Sequence, residues 1–377
     1  MQYLDQVTIN DDKSVATVGP GSKWINVYKT LDQYGVSVVG GRGPTVGAGG
    51  FMLGAGGYFH WTGKYGMAAD NVKDFEIVLA NGTITNANAE NNTDLFWALK
   101  GGGPNFGIVT KMDLYTIPIR NIWYQFGTYD SNQAPALIEA YAKWQNDGAS
   151  DTRGTVGFVI GLETTFVGLF WSEPAEKPEP FAPFYNITQI EPAGTPTNST
   201  LMELTNQLAF IGSEGSARHD YRAATAKVDV ELYNDVYEFW KPKAQAVHNA
   251  TGANVTFVFQ PVPKSVAAAS EEKGGNPMGI TAEDQMWWST TLDWTDAADD
   301  DTVRGLSIET TDKWEELGKA RGSYLPHLFM NDASRDQNPL ASYGEENLQK
   351  LKDIAAKYDP TQLFQEVQNS GFLLSKA

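Results

Sequence analysis

Nine of the eighteen residues from 40 to 57 are glycine: Gly40-Gly41-Arg42-Gly43-Pro44-Thr45-Val46-Gly47-Ala48-Gly49-Gly50-Phe51-Met52-Leu53-Gly54-Ala55-Gly56-Gly57. A residue without a Cβ lets the backbone approach another molecule and aim its N–H groups at an anion. So much glycine loses a great deal of chain entropy on folding, and a bound phosphate or diphosphate would offset that loss. The competing structural reading is a set of tight turns with a bulge. The segment lacks the lysine of a phosphate loop. No G-x-G-x-x-G lies between a strand and a helix with an acidic residue at the right distance. Nucleoside triphosphate and nicotinamide dinucleotide sites are thereby disfavoured. What remains is a diphosphate cradled by main-chain N–H groups.

The flanks must hold this segment. Residues 14–20 read as a strand ending in a turn. Ser22 is placed to cap a helix whose apolar positions Trp24, Val27, Tyr28, Leu31 and Tyr34 keep helical spacing, and Gly35 stops it. Val36–Val39 reads as a short strand entering the glycine loop. After the loop, a strand over Phe75–Leu79 meets the hairpin signal Asn81-Gly82 and continues as Thr83–Thr85. Thr93 or Asp94 caps a helix over Leu95–Lys100, and a strand follows from Gly107 to Tyr115. This is a compact α+β unit.

From about residue 119 strand-like runs recur near 122–128, 155–171, 255–260 and 286–294. Helices alternate with them over Ala134–Asn146, Leu201–Phe210, Asn234–Val247 and Asp301–Leu317. The pattern predicts an antiparallel sheet with helices on one face. Asp299, Asp300 and Asp301 fall at the N-terminus of the last helix, where acidic charge is favoured. Proline-rich stretches at 174–183 and 191–197 read as loops. A helix over Glu345–Lys357, stopped by Asp359-Pro360, precedes an apolar tail, Phe372-Leu373-Leu374, expected to dock on the core. Of the cluster Trp287, Trp288 and Trp294, the last two share a face at strand spacing. They serve either a sheet core or a stacking platform for a sugar or polyketide ring.

Bulk properties narrow the function classes. The 377 residues are 41% hydrophobic and 12% aromatic, enough for a real core. A net charge of −18 opposes nucleic acid or an anionic membrane as partner. With no cysteine there is no disulfide, no thiolate zinc site and no cysteine nucleophile. His60, His219, His248 and His327 fall in no metal-ligand spacing, so no metal is expected. Six Asn-x-Ser/Thr sequons, at Asn81, Asn91, Asn186, Asn198, Asn249 and Asn254, point to a secreted glycoprotein. The N-terminus has neither the basic nor the apolar region of a signal peptide. A chain entered midway through its domain reconciles the two.

The glycine segment, Tyr65-Gly66 and Asp70-Asn71-Val72 together resemble FAD-linked oxidases of the vanillyl-alcohol-oxidase type, with a PCMH-type FAD-binding domain. More narrowly the chain is similar to the berberine-bridge-enzyme-like branch and its fungal members. Leu95-Phe96-Trp97-Ala98-Leu99-Lys100-Gly101-Gly102-Gly103, Asn105-Phe106-Gly107-Ile108-Val109-Thr110, Ser342-Tyr343-Gly344 with Asn347, and Lys357-Tyr358-Asp359-Pro360 carry the likeness to both ends of the chain. The resemblance implies that Val46, Gly47, Gly49, Gly50, Leu53, Gly54, Gly56 and Gly57 line the FAD diphosphate and ribityl chain. Asp70, Asn71 and Val72 would support that loop. Gly107, Ile108 and Val109 would meet the adenine side, and Asn331 would lie near the isoalloxazine. It implies three parts: 1–118, the second lobe of the FAD-binding domain; 119–323, an antiparallel-sheet substrate domain; and 324–377, returning to the FAD domain.

Two departures from the family pattern stand out. Some members tether FAD to a histidine and a cysteine. The cysteine position is Gly43 here, and the upstream Arg-x-Gly-Gly-His loop is absent. The chain therefore resembles the family fold without its first FAD-binding lobe. The implied activity is hydride removal from an alcohol, sugar or secondary metabolite by FAD, with dioxygen as acceptor. The alternative is a truncated, non-catalytic relative with weak or no flavin binding. Catalysis also needs a base, and Tyr324 is the candidate, with His327 between it and Asn331. Gln260, at the end of Phe257-Val258-Phe259-Gln260-Pro261, is the candidate to reach the substrate.

Overall fold

The computed structural model describes residues 1–57, 61–190, 196–210 and 218–377, so His60 lies outside the described residues. The first sheet comprises β1 (Val7–Ile9), β2 (Val15–Val18), β3 (Val72–Val78), β4 (Ile84–Asn88) and β5 (Ile108–Tyr115), in the order β1-β2-β5-β3-β4. All its pairings are antiparallel, and Asn81-Gly82 turns β3 into β4 with Val78 opposite Ile84. Around it lie α1 (Trp24–Asp32), α2 (Ala48–Leu53), α3 (Thr62–Tyr65) and α4 (Thr93–Leu99). Trp24, Val27, Tyr28 and Leu31 recur every three or four residues, so α1 buries one stripe against the sheet.

Three local expectations give way here. Ser22 does not cap α1: its hydroxyl donates to the Asp5 carbonyl at 2.8 Å, and Lys23 takes the cap position without a side-chain bond. Val36–Val39 forms no strand beyond one bridge from Ser37 to Ile117, although Val38 and Val39 are buried. The glycine segment is not all loop, because six of its residues form α2.

The second sheet has nine strands among the described residues. They are β6 (Asn121–Asp130), β7 (Gly154–Ile160), β8 (Thr164–Trp171), β9 (Thr197–Thr200), β10 (Arg218–Lys227), β11 (Asn254–Val255), β12 (Phe257–Val262), β13 (Gln285–Trp294) and β14 (Tyr324–Leu325). The order is β14-β10-β13-β12-β7-β8-β6-β9, antiparallel throughout, with β11 added on β13. The helices of this half are α5 (Ala134–Asp147), α6 (Leu201–Gln207), α7 (Val230–Thr251), α8 (Ser265–Glu271) and α9 (Asp300–Arg321). Asp300 and Asp301 open α9 as expected, and Asp300 also binds Arg218 and Trp294 Nε1.

Sequence reasoning missed β9, β10 and α8, and read as loop a 3-10 turn at Glu179–Phe184. In β10 the reason is visible. Asp220 and Arg222 lie on one face and are buried, but Arg304, Thr311 and Asp336 from distant parts of the chain satisfy them. A strand buried through such partners shows no apolar alternation.

The two faces of this sheet differ. One carries Trp123, Phe158, Phe257, Phe259, Trp288 and Trp294 into a core with α5, α7 and α9. Trp288 and Trp294 are therefore sheet core rather than a ring platform. The other face sends Ile122, Tyr124, Phe126, Phe170, Val262 and Trp287 into the core of the first unit. The chain then returns through α10 (Glu345–Tyr358) and α11 (Leu363–Glu366). Leu351, Ile354 and Ala355 of α10 join that first core. Asn105 fastens the apolar tail, donating to the Phe372 carbonyl and accepting from the Leu374 N–H.

Candidate functional site

Helix α2 sorts the glycines of the segment into two groups. Gly49, Gly54, Gly56 and Gly57 are buried, and packing accounts for them. A Cβ on Gly49 would lie 2.8 Å from Pro20, one on Gly54 2.1 Å from Asn331 Oδ1, and one on Gly56 2.4 Å from Ala68 Cβ. Gly56 also has φ +78, a conformation costly for other residues. By contrast Gly47 and Gly50 are exposed, and nothing lies within 4 Å of a Cβ built on either. Glycine inside a helix costs about 0.5–1 kcal/mol relative to alanine, and no neighbour within the protein requires it at Gly50. With exposed Val46 and half-buried Leu53, these two make one open stripe.

That stripe fits a bound dinucleotide: a bare main chain, approachable from outside, with room in front of it. The expected N–H cradle is narrower than the sequence implied. The N–H groups of Val46, Ala48, Gly49 and Gly54 go to the carbonyls of Gly43, Ser22, Pro20 and Gly50. These donors are thus spent on the protein's own fold.

At one end of the stripe sits Asn331. Its amide donates to the carbonyls of Phe51 and Gly54 at 3.0 and 3.3 Å, binding a 3-10 turn (Met330–Asp332) to the end of α2. Over this turn runs a chain of polar contacts. Arg42 Nη2 donates to Gln260 Oε1 at 2.8 Å, and Gln260 Nε2 donates to Asp332 Oδ2 at 2.7 Å. Both ends of the Gln260 amide are engaged, so its orientation is fixed. Gln260 points to this side because it pairs with Trp287 across β12 and β13, on the face away from the helices. Further along that face, Tyr221 of β10 stands opposite Thr291 and is 44% exposed. Partial burial and the Asp332 carboxylate raise its phenol above the ordinary value, with the Arg42 charge opposing.

Behind the site, buried groups hold the frame. Asp70, Asn71 and Val72 are interior. Asp70 accepts from the Met67 N–H and from Asn276, and Asn71 donates to the carbonyls of Tyr65 and Met67. Lys273 donates to the Tyr65 carbonyl and to Asn71 Oδ1, tying the loop after α8 to the first unit. Burial raises the Asp70 carboxyl and lowers the nearby Lys100 ammonium. His327 is enclosed by Trp287 at 4.8 Å and Tyr343 at 5.8 Å, with Nδ1 on the Met278 carbonyl. Burial pushes its imidazole down to about 4.

The structure thus brings Val46, Gly47, Gly50, Leu53, Asn331 and Gln260 to one side of the molecule. It puts Gly49, Gly54, Gly56, Gly57, Asp70, Asn71 and Val72 behind them. Gly107 precedes β5, which exposed Ile108 and buried Val109 open beside Val78 and Ile77. Tyr324 is elsewhere: it lies on β14, backed by Gly318 of α9, with Lys319 Nζ 5.2 Å from its ring centre. Sequence reasoning left out Arg42, Asp332 and Tyr221 as site residues. Arg42 had a signal, being the only charge between residues 40 and 57.

Residues 1–88 match a family model described as an FAD binding domain. An FAD-dependent monooxygenase of Arthrobotrys oligospora is 36% identical over 376 residues, covering 100% of this chain and 73% of that protein. The bifunctional solanapyrone synthase of Alternaria solani is 32% identical over 367 residues, covering 97% of this chain and 70% of its own. The chain therefore spans about three quarters of the length of these relatives. Among solved structures, 6-hydroxy-D-nicotine oxidase of Arthrobacter nicotinovorans superposes with a TM-score of 0.80 at 19% identity, covering 97% of this chain and 80% of that one. Xylooligosaccharide oxidase of Myceliophthora thermophila gives 0.78 at 21%, covering 96% and 79%.

Proposed function

Because this chain belongs to the FAD-linked oxidoreductases of the vanillyl-alcohol-oxidase and berberine-bridge-enzyme-like family, we propose that the stripe Val46, Gly47, Gly50 and Leu53 faces the FAD diphosphate and ribityl chain. Asn331 then lies at the flavin end, and Arg42, Gln260 and Asp332 meet a small-molecule substrate there. The chain is an FAD-dependent oxidoreductase. Bound FAD supplies a two-electron acceptor for a C–H bond beside oxygen or nitrogen. The protein's own share is to bind, orient and exclude water. Buried Trp287 and Phe329, stacked at 5.0 Å, back the site with apolar packing. The buried Gln260 amide bridges Arg42 and Asp332, so it orients the polar groups that meet a substrate hydroxyl or amine.

The observation that carries this reading is the pair Gly47 and Gly50, bare and open where the protein itself has no use for glycine. Dioxygen is the proposed electron acceptor, and an alcohol, sugar or secondary metabolite the proposed substrate. The alternative of a truncated or non-catalytic remnant with weak or no flavin binding gives way to relatives named FAD-dependent monooxygenases that match the whole chain. The test is direct. The purified chain mixed with FAD should quench flavin fluorescence, turn yellow and release hydrogen peroxide with some member of an alcohol and sugar panel. A protein that stays colourless and leaves flavin fluorescence unchanged refutes the reading.

A secretory history belongs to the same proposal. All six sequon asparagines are exposed, so each is open to a glycan without unfolding. Secretion from a fungal host followed by peptide N-glycosidase treatment should lower the intact mass. An unchanged mass removes the support from secretion.

A further inference from the structure

We propose that the Asp332 carboxylate is the catalytic base of this site, with Gln260 and Arg42 as its positioning residues. The inference rests on the FAD-oxidoreductase reading above. Oxidation of a C–H bond beside a hydroxyl leaves a proton on the oxygen, and a base must receive it as the carbonyl forms. Candidates are few among the described residues. His327 is shut between Trp287 and Tyr343 with one nitrogen on the Met278 carbonyl. Tyr324 is packed beside α9 under Lys319. Asp220 is spent on Arg304 and Ser334, and Asp336 on Arg222 and Arg304. Asp332 is the carboxylate next in sequence to Asn331, which is bonded to the end of α2.

Three features suit Asp332 to the role. Its 3-10 turn is fixed from below by Asn331 and from within by its own N–H on the Phe329 carbonyl at 3.1 Å. Its side chain is held from above by Gln260 Nε2 at 2.7 Å. Only 8% of the residue is exposed, so water competes little for its lone pairs. Among the described residues, Tyr221 of β10 faces it, Arg42 of the glycine segment is joined to it through Gln260, and Gln260 of β12 is neutral. Arg42 is joined to the carboxylate through Gln260, which ties the two charges to one amide.

The substrate O–H bond breaks and its proton forms an O–H bond on Asp332. The freed electron pair closes the C=O bond, and FAD, when bound, would be the acceptor of the C–H hydrogen with its two electrons. Asp332 then loses the proton to water.

The test compares wild type, Asp332→Asn, Asp332→Ala and Gln260→Leu, each loaded with FAD. Probes are xylobiose, cellobiose, glucose and benzyl alcohol. Flavin fluorescence quenching should give the same FAD affinity for wild type and Asp332→Asn. With the probe that wild type oxidises fastest, kcat of Asp332→Asn should fall about 10²–10⁴-fold with KM nearly unchanged. The acid limb of kcat/KM against pH should vanish. Formate added to Asp332→Ala should restore part of the rate. Gln260→Leu should keep the acid limb at a lower rate, as a positioning residue requires. An Asp332→Asn enzyme that retains wild-type kcat and its acid limb overturns the assignment. A wild-type chain that neither quenches flavin fluorescence nor oxidises any probe overturns instead the FAD reading beneath it.

Discussion

Two faces of the same nine-stranded sheet do different work. On β12 and β13 the residues Phe257, Phe259, Trp288 and Trp294 point to the helices, while Gln260 and Trp287 point to the glycine unit. The helix face is a continuous apolar core, with Phe257 against Trp240 at 5.3 Å and Trp288 at 5.4 Å. The opposite face buries a polar amide between a guanidinium and a carboxylate. Because side chains alternate along a strand, one sequence can put stability on one side and chemistry on the other. Substitutions should therefore divide by parity.

The largest effect is expected on the helix face. Phe257→Ala should lower unfolding free energy by about 3–5 kcal/mol, read by urea denaturation, without altering FAD affinity in the fraction that folds. If it changes FAD binding more than stability, the division of labour is wrong.

Next comes pH. His327 is neutral in the fold, with its imidazole near 4 against an ordinary 6.5. Above pH 6.5 both folded and unfolded chains are neutral there. As pH falls below 6.5 the unfolded chain takes up a proton that the fold refuses, down to about 4. Stability should fall across this window by on the order of 3 kcal/mol. His327→Phe should remove this part of the slope in denaturation curves collected from pH 7 to 4.

Smaller effects probe the cradle. Gly56→Ala forces a side chain into positive φ against Ala68 and should cost about 1–3 kcal/mol. Gly47→Ala has open space and ordinary backbone angles, so thermal melting should hardly move while FAD affinity drops. Equal losses of stability at both positions would erase the distinction between packing glycines and contact glycines. Gln260→Leu leaves Arg42 and Asp332 short of one partner each, a loss of about 1–3 kcal/mol, expected as roughly a ten- to hundredfold drop in kcat/KM. Tyr324→Phe should have the least effect on turnover, given its position under Lys319. A large loss there would move the chemistry to the β14 edge.

The legible parts of this chain were those with a local cause. Trp24, Val27, Tyr28 and Leu31 announced α1 through spacing, and Asn81-Gly82 announced its hairpin. Gly107–Tyr115 and 286–294 showed strand composition and became β5 and β13. Features with a distant cause were not legible. Ser22 resembled a cap but serves Asp5, and Arg218–Lys227 hid a strand behind charges that Arg304 and Asp336 neutralise. In the site, Asn331 and Gln260 could be named individually, but nothing in the sequence said that Gln260 bridges Arg42 and Asp332.

The sequence by itself determined that the chain is an α+β protein and that its likeness is to FAD-linked oxidases. Residue type and local spacing suffice for those conclusions. Tertiary structure decided which glycines pack and which face outward, which carboxylate Gln260 ties to Arg42, and on which side of the nine-stranded sheet Gln260 falls. These depend on contacts between positions such as 42, 260 and 332. Such contacts form only when strand pairing brings distant segments together, and the pairing follows from the burial balance of the whole fold.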